Sequence, residues 1–267
     1  MVTEIRKYLK LYWKLIKFAA SIEMEYRFSF FIEMCVEVGY FFVTLFGIRV
    51  LFWNITEVVG WHFYELLVLY GVNMIFSEIL LGVVFVHNLR NLPSSISKGA
   101  LDLILTKPLN SQFAVSFWRP YFAMIPGVIA GFVAVVIGFA NLEIVFNPLM
   151  LIPFLVIFLS GLVMAYSSGM IIVTFSFWTI NVTQLSNLAQ QFLFMAKHPY
   201  GVFSGVWKVL FLTVVPIAFM VSFPTSTLMG DLEFWWIPSS VALAVVFLKL
   251  SNLFWNFALK KYSGASS

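Results

Sequence analysis

The residues able to do chemistry in this 267-residue chain are few, and most of them sit inside apolar sequence. Glu33 and Glu37 are one helical turn apart, while Glu78 and Lys249 each stand in long hydrophobic runs. Ionisable groups in such runs are functional candidates by default, because charge is expensive in a bilayer. At 1.5 Å per residue, Glu37, Glu78 and Lys249 each fall roughly 12–14 Å from the inner end of their segment. They can share a plane, with Lys249 as counter-ion to one of the acids. One reading is a hydrated cavity or a gate latch; the other is a structural ion pair, with Glu33 snorkelling to the inner interface. Arg49 and Glu65 fall near the outer ends of neighbouring segments, where pairing or snorkelling is cheap.

Other reactive side chains lack company. His198 precedes Pro199 in a turn, and His62 and His87 lie on other segments, so no metal set is expected. The single cysteine, Cys35, has no partner within the chain and reads as packing filler. There is no GxxxxGK[ST] loop, no HExxH and no GxSxG. The chain is therefore expected to bind no nucleotide or metal and to be no enzyme. Any energy-coupled work must draw on an ion gradient or on a separate ATPase.

The elements that position these groups follow from composition. Only 10% of residues are charged and 61% are hydrophobic, against roughly 25% charged in an ordinary soluble domain. No charged side chain occurs between Glu143 and Lys197, a stretch far longer than one bilayer crossing. These facts exclude a soluble enzyme, a disordered chain and a nucleic-acid binder. They leave an all-α, polytopic membrane protein.

Six segments have the length of a crossing: Phe28–Phe52, Phe63–Val86, Tyr121–Ala140, Leu149–Phe177, Val206–Phe223 and Phe234–Phe257. Fourteen of the 16 basic residues fall in the N-terminal stretch, the connection His87–Arg119, the connection holding Lys197 and Lys208, and the tail. The other connections carry only Glu57, Glu143, Asp231 and Glu233. The positive-inside rule then puts both termini in the cytoplasm.

Residues 1–26 read as an interfacial helix rather than a crossing or a signal peptide. Ile5, Tyr8, Leu9, Tyr12, Ile16 and Ala19 share one face; Arg6, Lys7, Lys10, Lys14 and Lys17 share the other. In the connection 87–119, Pro93 ends the second span and Ser94 or Ser95 caps a short amphipathic helix, Ile96–Leu105. Lys98 and Asp102 are an i,i+4 pair on its polar side, and Thr106-Lys107-Pro108 stops it. From the residues alone, this helix either docks a soluble partner or lies on the bilayer. Farther along, Asn181, Gln184, Asn187, Gln190 and Gln191 form an uncharged polar stripe that is half-buried, lines a cavity or bonds to a neighbouring helix. Gly127 and Gly131, and Gly161, Ala165 and Gly169, recur at the four-residue spacing that lets helices approach. Pro216 is placed to kink the fifth span.

The string Ser97-Lys98-Gly99-Ala100-Leu101-Asp102-Leu103-Ile104-Leu105-Thr106-Lys107-Pro108-Leu109 resembles the G-x-L-D-x-x-L-x-[KR]-P signature of bacterial ABC transporter permeases of the type-two exporter class. His198-Pro199, Pro216-Ile217-Ala218-Phe219, Phe223-Pro224 and the tail Ala258 to Ser267 extend the resemblance over nearly the whole chain. The resemblance implies one membrane half of an ATP-driven exporter in a prokaryotic inner membrane. Two permease subunits, identical or homologous, would pair around a pathway, with two copies of a cytoplasmic ATPase beneath and ATP and Mg on those subunits. It makes the N-terminal helix and the helix Ile96–Leu105 the docking elements, with Ile96, Lys98, Gly99, Leu101, Asp102, Leu105, Lys107 and Pro108 as contact residues. It also implies that spans one, two and five line the pathway or the dimer seam, and that a re-entrant piece lies around Phe223–Trp235 on the outer side. The rival readings are a gradient-driven carrier using Glu37, Glu78 and Lys249 as a relay, and a non-transporting scaffold or membrane-embedded enzyme.

Overall fold

The computed structural model describes residues 2–144, 147–179, 182–213 and 215–262. Asn181, the side chain of Ile5 and the tail from Ser263 to Ser267 lie outside the described residues. Helix α1 (Val2–Glu25) is followed at once by α2 (Arg27–Leu51). α3 (Phe63–Leu80) continues through a π-helical run to Leu89, then come α4 (Leu92–Ser97), α5 (Ala100–Leu105) and α6 (Ser111–Ser116). α7 (Ile125–Asn141), α8 (Leu151–Thr174) and α9 (Val182–Phe194) follow. α10 (Gly205–Thr213), α11 (Phe223–Leu228) and α12 (Trp236–Lys261) complete the order. Among the described residues, five helical runs are long and apolar enough to cross a membrane: 27–51, 63–97, 122–141, 148–177 and 236–261.

Local chemistry sets the boundaries. The Glu65 carboxylate accepts from the His62 backbone N–H at 2.8 Å, one arm of a capping box that starts α3. Asn110 accepts from the Phe113 N–H at 3.0 Å and starts α6. Pro126 stands in the first turn of α7, where a missing N–H costs nothing.

α3 is the central element. Its residues from Leu67 to Phe76 are buried almost without interruption, while α2 buries only Phe41. α7 runs antiparallel against α3 at very short range. A Cβ on Gly71 would come within 2.6 Å of the Gly131 carbonyl oxygen, and one on Gly131 within 2.7 Å of that of Gly71. Gly161 gives the same closeness against the Phe219 carbonyl at 2.6 Å, and Gly169 against the Phe85 ring at 2.7 Å. The small-residue spacing thus serves packing within the chain. α12 lies parallel to α8, with Phe254 stacked on Trp178 and Trp255 edge-on to Phe177.

The molecule has two ends. A basic end gathers Arg27, Arg90, Arg119 and Lys260; the far end gathers Val58, Asn141 and Trp236. Two expectations change against this frame. At the basic end Ser186 of α9 donates to the Arg90 carbonyl at 3.1 Å. After α9, Gly201 lies against Val59, and Lys197 and His198 share a cavity with Leu51, Val58 and Leu66 at the far end. Lys197 therefore does not sit with the other basic residues. Neither does Lys208, whose ammonium lies over the Tyr200 ring at 5.5 Å. Secondly, the segment Val206–Phe223 is not one straight span. α10 and the run Ala218–Leu228 meet at a 64° bend near Pro216. Ser222 accepts from the Tyr200 N–H at 3.1 Å, and Phe223 stacks on Trp236 at 4.1 Å, which returns this stretch to the far end.

Candidate functional site

The connection between α3 and α7 forms a compact platform at the basic end. The single helix Ile96–Leu105 expected from sequence is divided: α4 ends at Ser97 and α5 begins at Ala100. Gly99 makes the break with φ 72°, a left-handed conformation that glycine adopts without steric cost. Ser94 and Ser95 do not cap; Pro93 stands in the first turn of α4 behind Asn91. The break leaves Lys98 and Asp102 without an ion pair.

The break also decides which side chains face out. Leu101 is fully buried and Ile96 nearly so, both in the main core. Leu105 and Ile104 are half-buried against the same core. Leu103, absent from the expected contact set, is 72% exposed. Lys98 and Pro108 are also exposed, and Gly99 is half-buried. Lys107 places its ammonium 3.4 Å from the centre of the Trp118 ring, which orders the end of the platform. Asp102 faces the C-terminal end of α12: the pKa of the half-buried Tyr262 phenol is raised by partial burial and further by Asp102.

Polar contacts bolt the platform to the long helices. Gln112 donates to Ser251 at 3.4 Å and accepts from Asn252 at 3.1 Å. The Trp255 indole donates to Ser111 at 3.0 Å, and Ser116 and Tyr166 share a hydrogen bond of 3.0 Å. At the neck, Asn88 donates to the Arg119 carbonyl at 3.1 Å and accepts from the Arg119 N–H at 2.9 Å.

α1 packs beside this platform. Tyr8 accepts from the Asn110 N–H at 3.1 Å and meets the Phe113 ring edge-on. Its inward face runs through Tyr8, Tyr12, Leu15, Ala19 and Glu23; Leu9, expected on that face, is 66% exposed. Leu15, outside the expected set, is buried instead.

The intramembrane charges are not gathered as the sequence predicted. Lys249 is exposed on α12, which packs on α8, and it does not reach Glu37 or Glu78. Glu78 is buried, its side chain lies where a Cβ on Gly127 would come within 2.7 Å, and its Oε2 has no hydrogen-bond partner. Glu37 is close enough to act on it electrostatically. Glu33 accepts a hydrogen bond from the Tyr121 hydroxyl instead of simply reaching for solvent. Arg49 lies 5.2 Å from the Phe63 ring centre, and Glu65 is engaged in the α3 cap, so those two do not pair. On α9, Gln184, Asn187 and Gln191 are exposed and Gln190 is half-buried; the bond to a neighbouring element is made by Ser186.

A model of the ABC-2 family transporter protein matches residues 38–266. The chain belongs to the ABC-2 transporter family. No curated protein and no solved structure matches it. As an ABC-2 permease the chain is a multi-pass membrane protein and a transport subunit, and its family works with an ABC ATPase. The match covers α3 to α12 and begins within α2, so the platform α4–α6 lies inside it.

Proposed function

We propose that this ABC-2 permease is the membrane half of an ATP-driven exporter and that α4–α6, with α1 beside them, receive the partner ATPase. The observation that carries this is the platform: a broken helix pair buries Leu101 and exposes Leu103, and the adjoining α6 is hydrogen-bonded to α8 and α12. A push on such a platform moves long helices largely as rigid bodies. ATP and Mg belong to the partner subunit, present in two copies. A second permease, identical or homologous, closes the pathway. The broad apolar face of α2, with Phe28, Val43 and Phe46 each more than 60% exposed, supports that pairing.

In this reading the basic end is cytoplasmic and carries both termini, in a prokaryotic inner membrane. The chain crosses six times. α9 with its terminal turn is the fifth crossing, and α10 and α11 are a re-entrant piece in the outer half. The test is co-purification with the ATPase and ATP turnover in liposomes. Leu103→Glu should abolish stimulated turnover while membrane insertion stays normal; unchanged turnover would remove the docking assignment.

A second reading rests on Glu78, a buried carboxylate with a free oxygen and Glu37 nearby. It makes the chain a gradient-driven carrier without Lys249. Uptake driven by a pH gradient in liposomes lacking any ATPase, and lost in Glu78→Gln, is the result it requires.

A further inference from the structure

The cleft where α1 turns into α2 is not part of the platform. It measures about 190 Å³ and is lined by Glu23, Glu33, His87, Arg119 and Tyr121. Its walls are built. Glu23 is 94% buried by exposure of 6%, and its two oxygens accept from the Phe122 N–H at 3.0 and 3.3 Å. The Tyr121 hydroxyl donates to Glu33, and its ring meets His87 edge-on at 4.6 Å. The backbone of Arg119 is clamped by Asn88. The Nε of Arg119, by contrast, is buried and has no hydrogen-bond partner.

A buried guanidinium nitrogen left unanswered is costly unless something pairs with it. Glu23 and Glu33 act on this region electrostatically, yet neither forms an ion pair with Arg119. The cleft thus offers separated charges of both signs, two carboxylates and one guanidinium. A bare phosphate would meet the carboxylates, and a bare amine would leave Arg119 unanswered. A group carrying an anion and an ammonium two carbons apart answers both. The position narrows the source. α1 is a basic, aromatic helix at the basic end of a membrane protein, with Leu9, Trp13 and Phe18 exposed. The cleft opens beside it, at the first turn of the first crossing helix, where lipid headgroups lie.

We propose that this cleft binds the phosphoethanolamine headgroup of a membrane lipid, with the phosphate on Arg119 and the ammonium on Glu33 and Glu23. A charge-assisted hydrogen bond from the ammonium selects it over choline, whose methylated nitrogen has no N–H to donate.

The test uses the full-length protein, equilibrated with equal amounts of phosphatidylethanolamine and phosphatidylcholine of the same acyl chains and read by native mass spectrometry. The wild type should retain the ethanolamine lipid over the choline lipid by about tenfold, the worth of one charge-assisted hydrogen bond. Glu33→Gln should bring retention toward parity and Arg119→Gln should lower retention of both lipids, while Lys260→Gln at the same end keeps both the preference and the retention. Equal retention of the two lipids by the wild type overturns the proposal without recourse to a variant, as does undiminished retention of both lipids in Arg119→Gln. Free phosphoethanolamine that displaces the lipid at equal concentration would assign the site to a soluble ligand and overturn the lipid source.

Discussion

Leu101 and Leu103 stand two residues apart on α5 and face opposite ways, Leu101 at 0% and Leu103 at 72% exposure. They separate the stability of the platform from its use. Leu101→Ala should cost about 2–5 kcal/mol, the usual range for a buried leucine cavity, and should show as a lowered melting temperature in detergent. Leu103→Glu should leave that temperature within a degree or so, since surface changes are usually within about 0.5 kcal/mol, and should act only on ATPase stimulation.

The contact between α3 and α7 has no room for a methyl group. Gly131→Ala places its Cβ 2.7 Å from the Gly71 carbonyl oxygen, so the backbones must separate. A loss of about 1–3 kcal/mol is expected from such overpacking, measured by thermal unfolding. Gly39→Ala on α2 meets nothing within 4 Å and should be neutral or slightly stabilising.

The path of α9 predicts opposite accessibility for two residues. In a Cys35→Ser background, which removes the exposed native thiol, Arg90→Cys should react with a membrane-impermeant maleimide only from the cytoplasmic side. Lys197→Cys should react only from the other side. Labelling of both from one side would refute α9 as a crossing.

Glu23 gives α1 a pH dependence. Burial raises its pKa, outweighing the Phe122 N–H and Arg119, which lower it. A raised pKa means that packing favours the protonated carboxyl more than solvent does. The contribution to docking of α1 is therefore full below the ordinary carboxylate range and is lost as pH rises through the raised value. Amide protection over Val2–Glu25 should be greater at about pH 5 than at neutrality, and Glu23→Gln should flatten the difference.

The long apolar runs were legible in the sequence because length and the absence of charge are enough to identify them. The small-residue spacing around Gly131 and Gly161 was legible too, although only the structure says which neighbour each touches. α9 was obscured by its composition. Gln184, Asn187 and Gln191 make it read as a connection, and Lys197 then counted with the wrong end. Gly99 was visible as a signature residue but not as a left-handed break, and without that break Leu101 and Leu103 could not be told apart. The cluster of Glu23, Glu33, His87 and Arg119 had no local pattern. Its members come from four separate stretches and meet only once α1 folds against the head of α7.

Asn88 holds both backbone groups of Arg119, and the Tyr121 N–H donates to the Gly82 carbonyl at 2.7 Å beside it, so the chain leaves the membrane-spanning body and returns to it at one pinned point. The stretch between them is a closed circuit with a fixed doorway. Because the same stretch seats Leu101 in the core and ties Ser111, Gln112 and Ser116 to α8 and α12, a displacement imposed on it cannot dissipate at the doorway and has to be carried by the helices behind.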